Sequence, residues 1–209
     1  MNDRIYHPQT TAIVFIDVLN DFLAEDGKLH GAIGDMLKKT DFYPHITQLL
    51  AGAREAGLKI FFAPHGTDDH SFDDIKHVHP RMQWAVANQV LRTGTYGADF
   101  FEPFRPREGE VVISRHRMFD SFIGTDLQEK LNAHAIEKIV LAGLTSQTCI
   151  EGTGRHALEA GYHVTFLKDA VADFTEAAHD AAVTISYPTF GHDVMTTAEF
   201  LEAIGATVA

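Results

Sequence analysis

Short apolar runs alternate along this chain with longer stretches of helical period, and the alternation predicts its elements. Thr11-Ala12-Ile13-Val14-Phe15-Ile16 is nearly all apolar, as a central parallel strand covered on both faces has to be. Residues 42–56 then set Ile46, Leu49, Leu50 and Ala53 on one helical face, and Gly57 ends the run. Further apolar, β-branched runs predict strands over 58–63, 110–114, 138–144, 162–167 and 193–196. Helical patterns fill 125–134, 150–160 and 175–185, and another opens at Thr197. Strands alternating with helices give an α/β protein: a three-layer α-β-α, Rossmann-like architecture with a six-stranded parallel sheet. At 209 residues the whole chain, 1–209, reads as one domain.

One stretch, 65–104, breaks the alternation. It holds Asp68, Asp69, His70, Asp73, Asp74, His77 and His79, followed by Thr93-Gly94-Thr95-Tyr96-Gly97-Ala98. Loops this long in a compact domain are usually functional, and in an open α/β sheet they cover the carboxyl ends of the strands, where ligands bind. The segment is therefore expected to form a lid and much of a substrate pocket.

Charge and cysteine usage narrow the partners. A formal net charge of -12 leaves no basic stripe to neutralise phosphates, which argues against a nucleic-acid partner. One cysteine rules out an intrachain disulfide and fits a reducing compartment. The start, Met1-Asn2-Asp3-Arg4-Ile5, lacks the apolar region of a signal peptide. No apolar run approaches the roughly eighteen residues of a membrane span. A cytoplasmic location and a small-molecule partner are the expectations.

Candidate chemistry gathers at the predicted strand ends. Cys149 closes the loop Gly143-Leu144-Thr145-Ser146-Gln147-Thr148-Cys149, between a strand and a helix. A cysteine at a helix N-terminus faces unpaired N–H groups and the positive end of the dipole, so its pKa is expected below the free value of about 8.5. The same N–H groups suit an oxyanion. A small apolar side chain filling core space is the alternative. Asp17 directly follows the first strand and so shares a rim with Cys149, either as a solvated turn residue or as a general base for the thiol. Arg115, His116 and Arg117 follow the third strand and offer a cation to that rim.

The run Ile13-Val14-Phe15-Ile16-Asp17-Val18-Leu19-Asn20-Asp21-Phe22 resembles the first motif of the isochorismatase-like cysteine hydrolases, which include nicotinamidases, carbamoylsarcosine amidases and ureide hydrolases. Gly143 to Glu151 is similar to their nucleophile loop. Phe119-Asp120-Ser121-Phe122-Ile123-Gly124-Thr125-Asp126-Leu127, Ala157 to Val164 and Lys168-Asp169-Ala170 continue the likeness in the same order. The resemblance implies an Asp–Lys–Cys triad, with Asp17 and Cys149 carried over. It also implies a cis peptide at Leu144–Thr145 and an oxyanion hole from the backbone N–H groups of Thr145 and Cys149. Homo-oligomers, dimers or tetramers, are usual among such relatives.

The chain departs from the pattern at the lysine. Counting back from Phe122 places that position on His116, with Arg115 as the rival for its permanent charge and reach. Leu19 stands where many members carry glutamine. The metal ligands of nicotinamidase-like members fall on Pro64, Gly66 and His70, so two of three are missing. His65, Asp68, His70, His77 and His79 offer another donor set, but no metal or other cofactor is assigned. Trp84, Tyr96, Phe119 and His70 are candidates to contact substrate, and Phe22 reads as core. The expected activity is hydrolysis of a C–N bond in a small amide or ureide through a Cys149 thioester. The alternatives are ether hydrolysis of the isochorismatase type and a non-hydrolytic, ligand-binding or redox-responsive thiol protein.

Overall fold

The first strand, β1 (Thr11–Ile16), is buried along its whole length in the computed structural model, which describes residues 6–206. It lies at the middle of one six-stranded sheet with β2 (Lys59–Ala63), β3 (Val111–Val112), β4 (Lys138–Leu144), β5 (His163–Ala172) and β6 (Asp193–Met195). The strand order is β3-β2-β1-β4-β5-β6, and every pairing is parallel. The predicted fold class is therefore observed, and the chain reverses its direction of growth between β1 and β4.

Alternating side chains of the central strands feed two separate cores, which is why these strands carry no polar face. Ile13, Phe15, Phe62 and Val140 pack under α2 (His30–Lys39), α3 (Phe42–Glu55) and α9 (Thr197–Ile204), meeting Leu37, Ile46, Leu49 and Phe200. Val14, Phe61, Leu141 and Phe166 pack on the other side under α5 (Leu127–Ala133), α6 (Glu151–Glu159) and the segment from α7 (Glu176–Ala181) to α8 (Tyr187–Phe190). Each large side chain fully buried in this way contributes about 1.5–3 kcal/mol. On the second face Phe166 stacks on Tyr187 at 4.1 Å between ring centres. Gly154 lets α6 approach that stack, since a Cβ there would meet the Phe166 ring at 2.2 Å. Among the described residues no helix is long and apolar enough to cross a membrane.

Three elements differ from the sequence reading. The third strand is two residues long, because beyond Ile113 the chain leaves the sheet edge to carry Arg115 and His116 inward. The helix expected over 175–185 is broken by a wide turn, Ala182–Ser186, before α8, whose first turn contains Pro188. Proline has no N–H and its ring crowds the carbonyl four residues back, so a regular helix does not run through it. The fifth strand continues to Ala172 after a register shift opposite Leu141 and Gly143. Helices α1 (Asn20–Leu23), α2 and α4 (Pro80–Ala87) were not read from the sequence. In α2 the apolar positions are diluted by Gly31 and Gly34, which weaken helical propensity.

Gly143 is the glycine that the sheet cannot do without. Its φ is +119°, and a Cβ at this position would sit 2.0 Å from the Ile16 carbonyl oxygen. Gly161 is the contrast: φ is +89° but the space around it is open. Gly143→Ala combines backbone strain with a backbone clash and is expected to cost at least about 3 kcal/mol in urea unfolding. Gly161→Ala carries the strain alone and is expected to cost about 1–2 kcal/mol. Equal losses from the two variants would show that the β1–β4 approach is not tight.

Candidate active site

In an open parallel sheet ligands bind outside the carboxyl ends of the strands, where the strand order reverses. That point lies between β1 and β4, and a cavity of about 300 Å³ opens there, lined at its floor by Asp17, His65, Thr145, Thr148 and Cys149. Its walls are Phe22, Leu29, Ala32, Arg81, Met82, Trp84, Ala85, Val90, Leu91, Phe119 and Phe174.

Asp17 leaves β1 in the left-handed region, with φ 56°, a conformation aspartate tolerates better than most side chains. Its N–H still donates to the Ala63 carbonyl at 3.1 Å, which ties the turn to the end of β2. The carboxylate is 1% exposed, yet Oδ1 accepts two hydrogen bonds, from the His65 backbone N–H at 2.7 Å and from His116 Nε2 at 2.9 Å. Oδ2 is buried with no hydrogen-bond partner.

His116 arrives from beyond β3 by a backbone bridge rather than a strand. Its N–H donates to the Pro64 carbonyl at 3.1 Å, and its carbonyl accepts from Gly66 N–H at 3.0 Å. The ring is then held between two acceptors: Nδ1 faces the Met118 carbonyl at 2.9 Å and Nε2 faces Asp17. With Asp17 ionised, as its lowered pKa requires, neither partner can donate, so both bonds exist together only when both nitrogens carry protons. His116 is therefore an imidazolium. Burial opposes that charge, but the Asp17 carboxylate and the two hydrogen bonds hold its pKa above the ordinary histidine value. Burial likewise opposes the Asp17 charge, and His116 overrides it, keeping the carboxyl below its usual range. His65, 5.0 Å from His116 ring to ring, has its pKa pushed down to about 4 by burial and by the His116 charge. It is neutral at pH 7 and lends Asp17 no charge there.

Cys149 sits in the wide helical turn Ser146–Ile150, after the cis peptide Leu144–Thr145. The loop is pinned from outside the cavity. Gln147 N–H donates to Asp173 Oδ2 at 2.8 Å, Ser146 Oγ bonds His179 Nδ1 at 3.0 Å, and the Tyr187 hydroxyl donates to the Ser146 carbonyl at 3.0 Å. Sγ, an Asp17 oxygen and a His116 nitrogen all lie within 4.8 Å of one another. The Thr148 hydroxyl and the Met118 carbonyl each lie 3.8 Å from the sulfur. The thiol pKa is raised, contrary to the expectation from its place at a helix start. Burial is the larger cause and the neighbouring Asp17 charge the next, and the Thr148 hydroxyl does not offset them. At rest this site holds a neutral thiol beside a carboxylate and an imidazolium.

The other sequence candidates divide. Trp84 and Phe119 line the cavity, Trp84 at its exposed rim. Phe22 belongs to the core, as read, and also shows an edge to the cavity. Arg115 does not turn to the site: its guanidinium donates to the His65 carbonyl at 2.7 Å and its stem packs on Gly66. Between the two rivals for the lysine position, only His116 reaches Asp17. Tyr96 lies outside the cavity, exposed, with its hydroxyl on Asp26. His70 also lies outside, exposed and paired with Asp73. Among the described residues, the only three metal-ligand-type side chains that converge are Asp17, His116 and Cys149; those of His65, Asp68, His70, His77 and His79 do not. Of the 65–104 insertion, it is α4 and the turn to Leu91 that wall the cavity. The Met82 and Ala85 pair, three apart on α4, was a readable signal; Leu29 and Phe174, far apart in sequence, were not.

The chain is similar to known proteins over nearly its whole length. Residues 11–199 match the family model of the isochorismatase domain. The chain is 33% identical over 175 residues to an uncharacterized isochorismatase family protein, YddQ of Bacillus subtilis, covering 83% of this chain and 84% of that one. It is 24% identical over 211 residues to the ureidoacrylate amidohydrolase RutB of Pantoea ananatis, covering 96% and 84%. Its fold is that of a cysteine hydrolase from Pseudomonas syringae, with a TM-score of 0.78 and 24% identity over 95% of this chain and 94% of that one. A six-stranded parallel sheet, a buried Asp–His–Cys constellation at its switch point and a match over nearly the whole chain lead to one conclusion: this protein is a hydrolase of the isochorismatase family.

Proposed function

We propose that this hydrolase cleaves the C–N bond of a small amide or ureide through a thioester on Cys149. The observation that carries the proposal is the buried Asp17 carboxylate: one of its oxygens lies within 4.8 Å of the Cys149 sulfur, Oδ1 is held by His116, and Oδ2 has no hydrogen-bond partner. An acceptor left open next to a thiol is the arrangement a general base requires. The names of relatives support the bond type, since RutB is a ureidoacrylate amidohydrolase.

The steps follow from the atoms. Substrate enters with its carbonyl carbon against Sγ. The thiol proton moves to Asp17 Oδ2 as the sulfur attacks, because the raised thiol pKa disfavours a free thiolate beforehand. The developing oxyanion meets the backbone N–H groups of Thr145 and Cys149. Asp17 hands the proton to the nitrogen, the C–N bond breaks and the amine leaves. Water then adds to the thioester and gives a proton to Asp17, the C–S bond breaks, and the departing sulfur recovers that proton. His116 keeps its own proton throughout and supplies the positive charge that a lysine supplies in relatives. A redox-sensing role is less well supported, because oxidants attack thiolates and this thiol is held neutral.

Incubating the protein with a panel of primary amides and ureides and trapping the acyl-enzyme by mass spectrometry tests the reading. Cys149→Ala is expected to lower kcat by roughly 10⁴-fold or more, and the acyl adduct is expected on Cys149 alone. Turnover that survives in Cys149→Ala would remove the thioester.

The pair Asp17–His116 also sets a pH window. His116 has a raised pKa, so its contribution is complete below the unfolded value of about 6.5 and is lost as pH climbs through the folded value. Asp17 has a depressed pKa, so its contribution is present above about 3.9 and is lost as pH falls through the folded value. Activity and stability in urea are both expected to decline on the alkaline side in the wild type. His116→Lys should keep activity and carry the alkaline limb upward, whereas His116→Ala should lose about 10²–10⁴-fold in kcat. An alkaline limb that stays in place in His116→Lys assigns it to another group.

A further inference from the structure

The turn that follows α4 holds a backbone shape that its side chains do not favour. Gln89 has φ 54° and Leu91 has φ 51°, in the left-handed region, where a Cβ crowds the following carbonyl oxygen. Residues persist there only where their surroundings enforce it. Leu91 lines the cavity, as do Met82, Trp84 and Ala85 of α4. The shape of this turn therefore decides how the helix lies over the cavity.

Asp21, a carboxylate in α1 that is 2% exposed, enforces it. Its Oδ2 accepts the Leu91 N–H at 2.6 Å, and its Oδ1 accepts the Lys28 N–H at 3.1 Å. Its own carbonyl accepts the Leu29 N–H at 2.8 Å. Leu29 is a wall residue, and so is Phe22, the next in chain. Three separate stretches of wall thus meet at one residue. Lys28 closes the same turn from outside, where its Nζ donates to the Asn88 and Gln89 carbonyls at 3.1 and 2.7 Å. Gly97 packs directly on the carboxylate, since a Cβ there would come within 2.3 Å of Oδ1. A carboxylate suits this place because both of its oxygens accept. An amide would turn its NH2 toward one of the two N–H groups.

We infer that Asp21 is a positioning residue for substrate selection: by clamping Leu91 to the Lys28–Leu29 stretch, it fixes the apolar wall that grips the body of a ligand at Cys149. Asp21 does not itself line the cavity, so it acts through the wall residues and not on the reacting atoms. Without the clamp the turn relaxes from its left-handed shape, α4 moves off the cavity, and ligands with a large apolar body lose their grip. A ligand too small to reach the wall is unaffected. The inference goes beyond the thioester reading and needs only that ligands reach Cys149 through this cavity.

Cys149 is the only cysteine of the chain, so its alkylation reports on the cavity directly. The probes are iodoacetamide and N-benzyliodoacetamide, which adds an apolar body. With either, the S–C bond forms as the C–I bond breaks, iodide leaves, and the thiol proton passes to the buffer. The wild type is expected to saturate with the benzyl reagent and so to yield an inhibition constant, KI. Asp21→Asn, which keeps one acceptor, is expected to raise KI about threefold, and Asp21→Ala about tenfold or more. The alkylation rate at saturation and the rate with iodoacetamide should each change by less than about threefold. Equal losses with both reagents would make Asp21 a residue of the fold alone, and an unchanged KI in Asp21→Ala would overturn the clamp. Two readings need no variant. The Leu91 amide of the wild type is expected to exchange its hydrogen at least about 10²-fold more slowly than an unstructured amide; an unprotected Leu91 refutes the proposal. A wild type that shows no saturation with the benzyl reagent has a wall that does not grip, and refutes it as well. None of these measurements involves amide turnover, so a failure of the thioester mechanism leaves them standing.

Discussion

The buried ion pair between Asp17 and His116 is the interaction on which the site depends. Two side chains that are each almost wholly withdrawn from water keep opposite charges because each is the other's largest favourable influence. Such a pair is weak evidence for stability, since desolvation cancels much of its attraction. Its value here is positional. It fixes which oxygen of Asp17 is occupied and which is free, and so decides where a thiol proton can go. The Met118 carbonyl on the far side of the ring completes the geometry by denying His116 any neutral state that satisfies both contacts.

Backbone, more than side-chain packing, places this pair. Asp17 is tied to the end of β2 through Ala63 and His65, and His116 is tied to the same end through Pro64 and Gly66. One short bridge between residues 65 and 116, just past the sheet proper, therefore carries both halves of the charge pair. The nucleophile comes independently from β4, where Gly143 lets the chain pass close to Ile16. The two halves of the chemistry meet only because β1 and β4 are neighbours at the point where the order reverses.

Much of this was legible in the sequence. Periodicity was enough for the sheet and its two flanking layers, because central parallel strands are apolar on both faces and leave a clear trace. Asp17 and Cys149 were legible because Asp17 follows the first strand directly and Cys149 closes the short loop between a strand and a helix. The choice between Arg115 and His116 was not, since adjacent residues on an extended chain point to opposite sides and the register past β3 is set by a bridge that leaves no pattern. The thiol pKa was misjudged for a related reason. A position at a helix start is visible in sequence, whereas burial beside a carboxylate is a tertiary fact, and it outweighs the helix. Tyr96 and His70 illustrate the same limit: both lie outside the cavity, although His65 and residues 81–91 of their segment line it.

That portion has a consequence for how such a protein changes over generations. The apolar wall from Arg81 to Leu91 is one contiguous piece of chain, fastened at its end by the Leu91 N–H to Asp21 Oδ2 at 2.6 Å. The floor, in contrast, is distributed over β1, β2 and β4 and the bridge at His116. Insertion, deletion or recombination within a single short interval of the gene would therefore exchange this side of the wall while leaving the reactive floor in place. The molecule thus joins a reactor dispersed over the sheet to a vestibule of which one side is a single separable stretch, the rest being lent by Phe22, Leu29, Phe119 and Phe174.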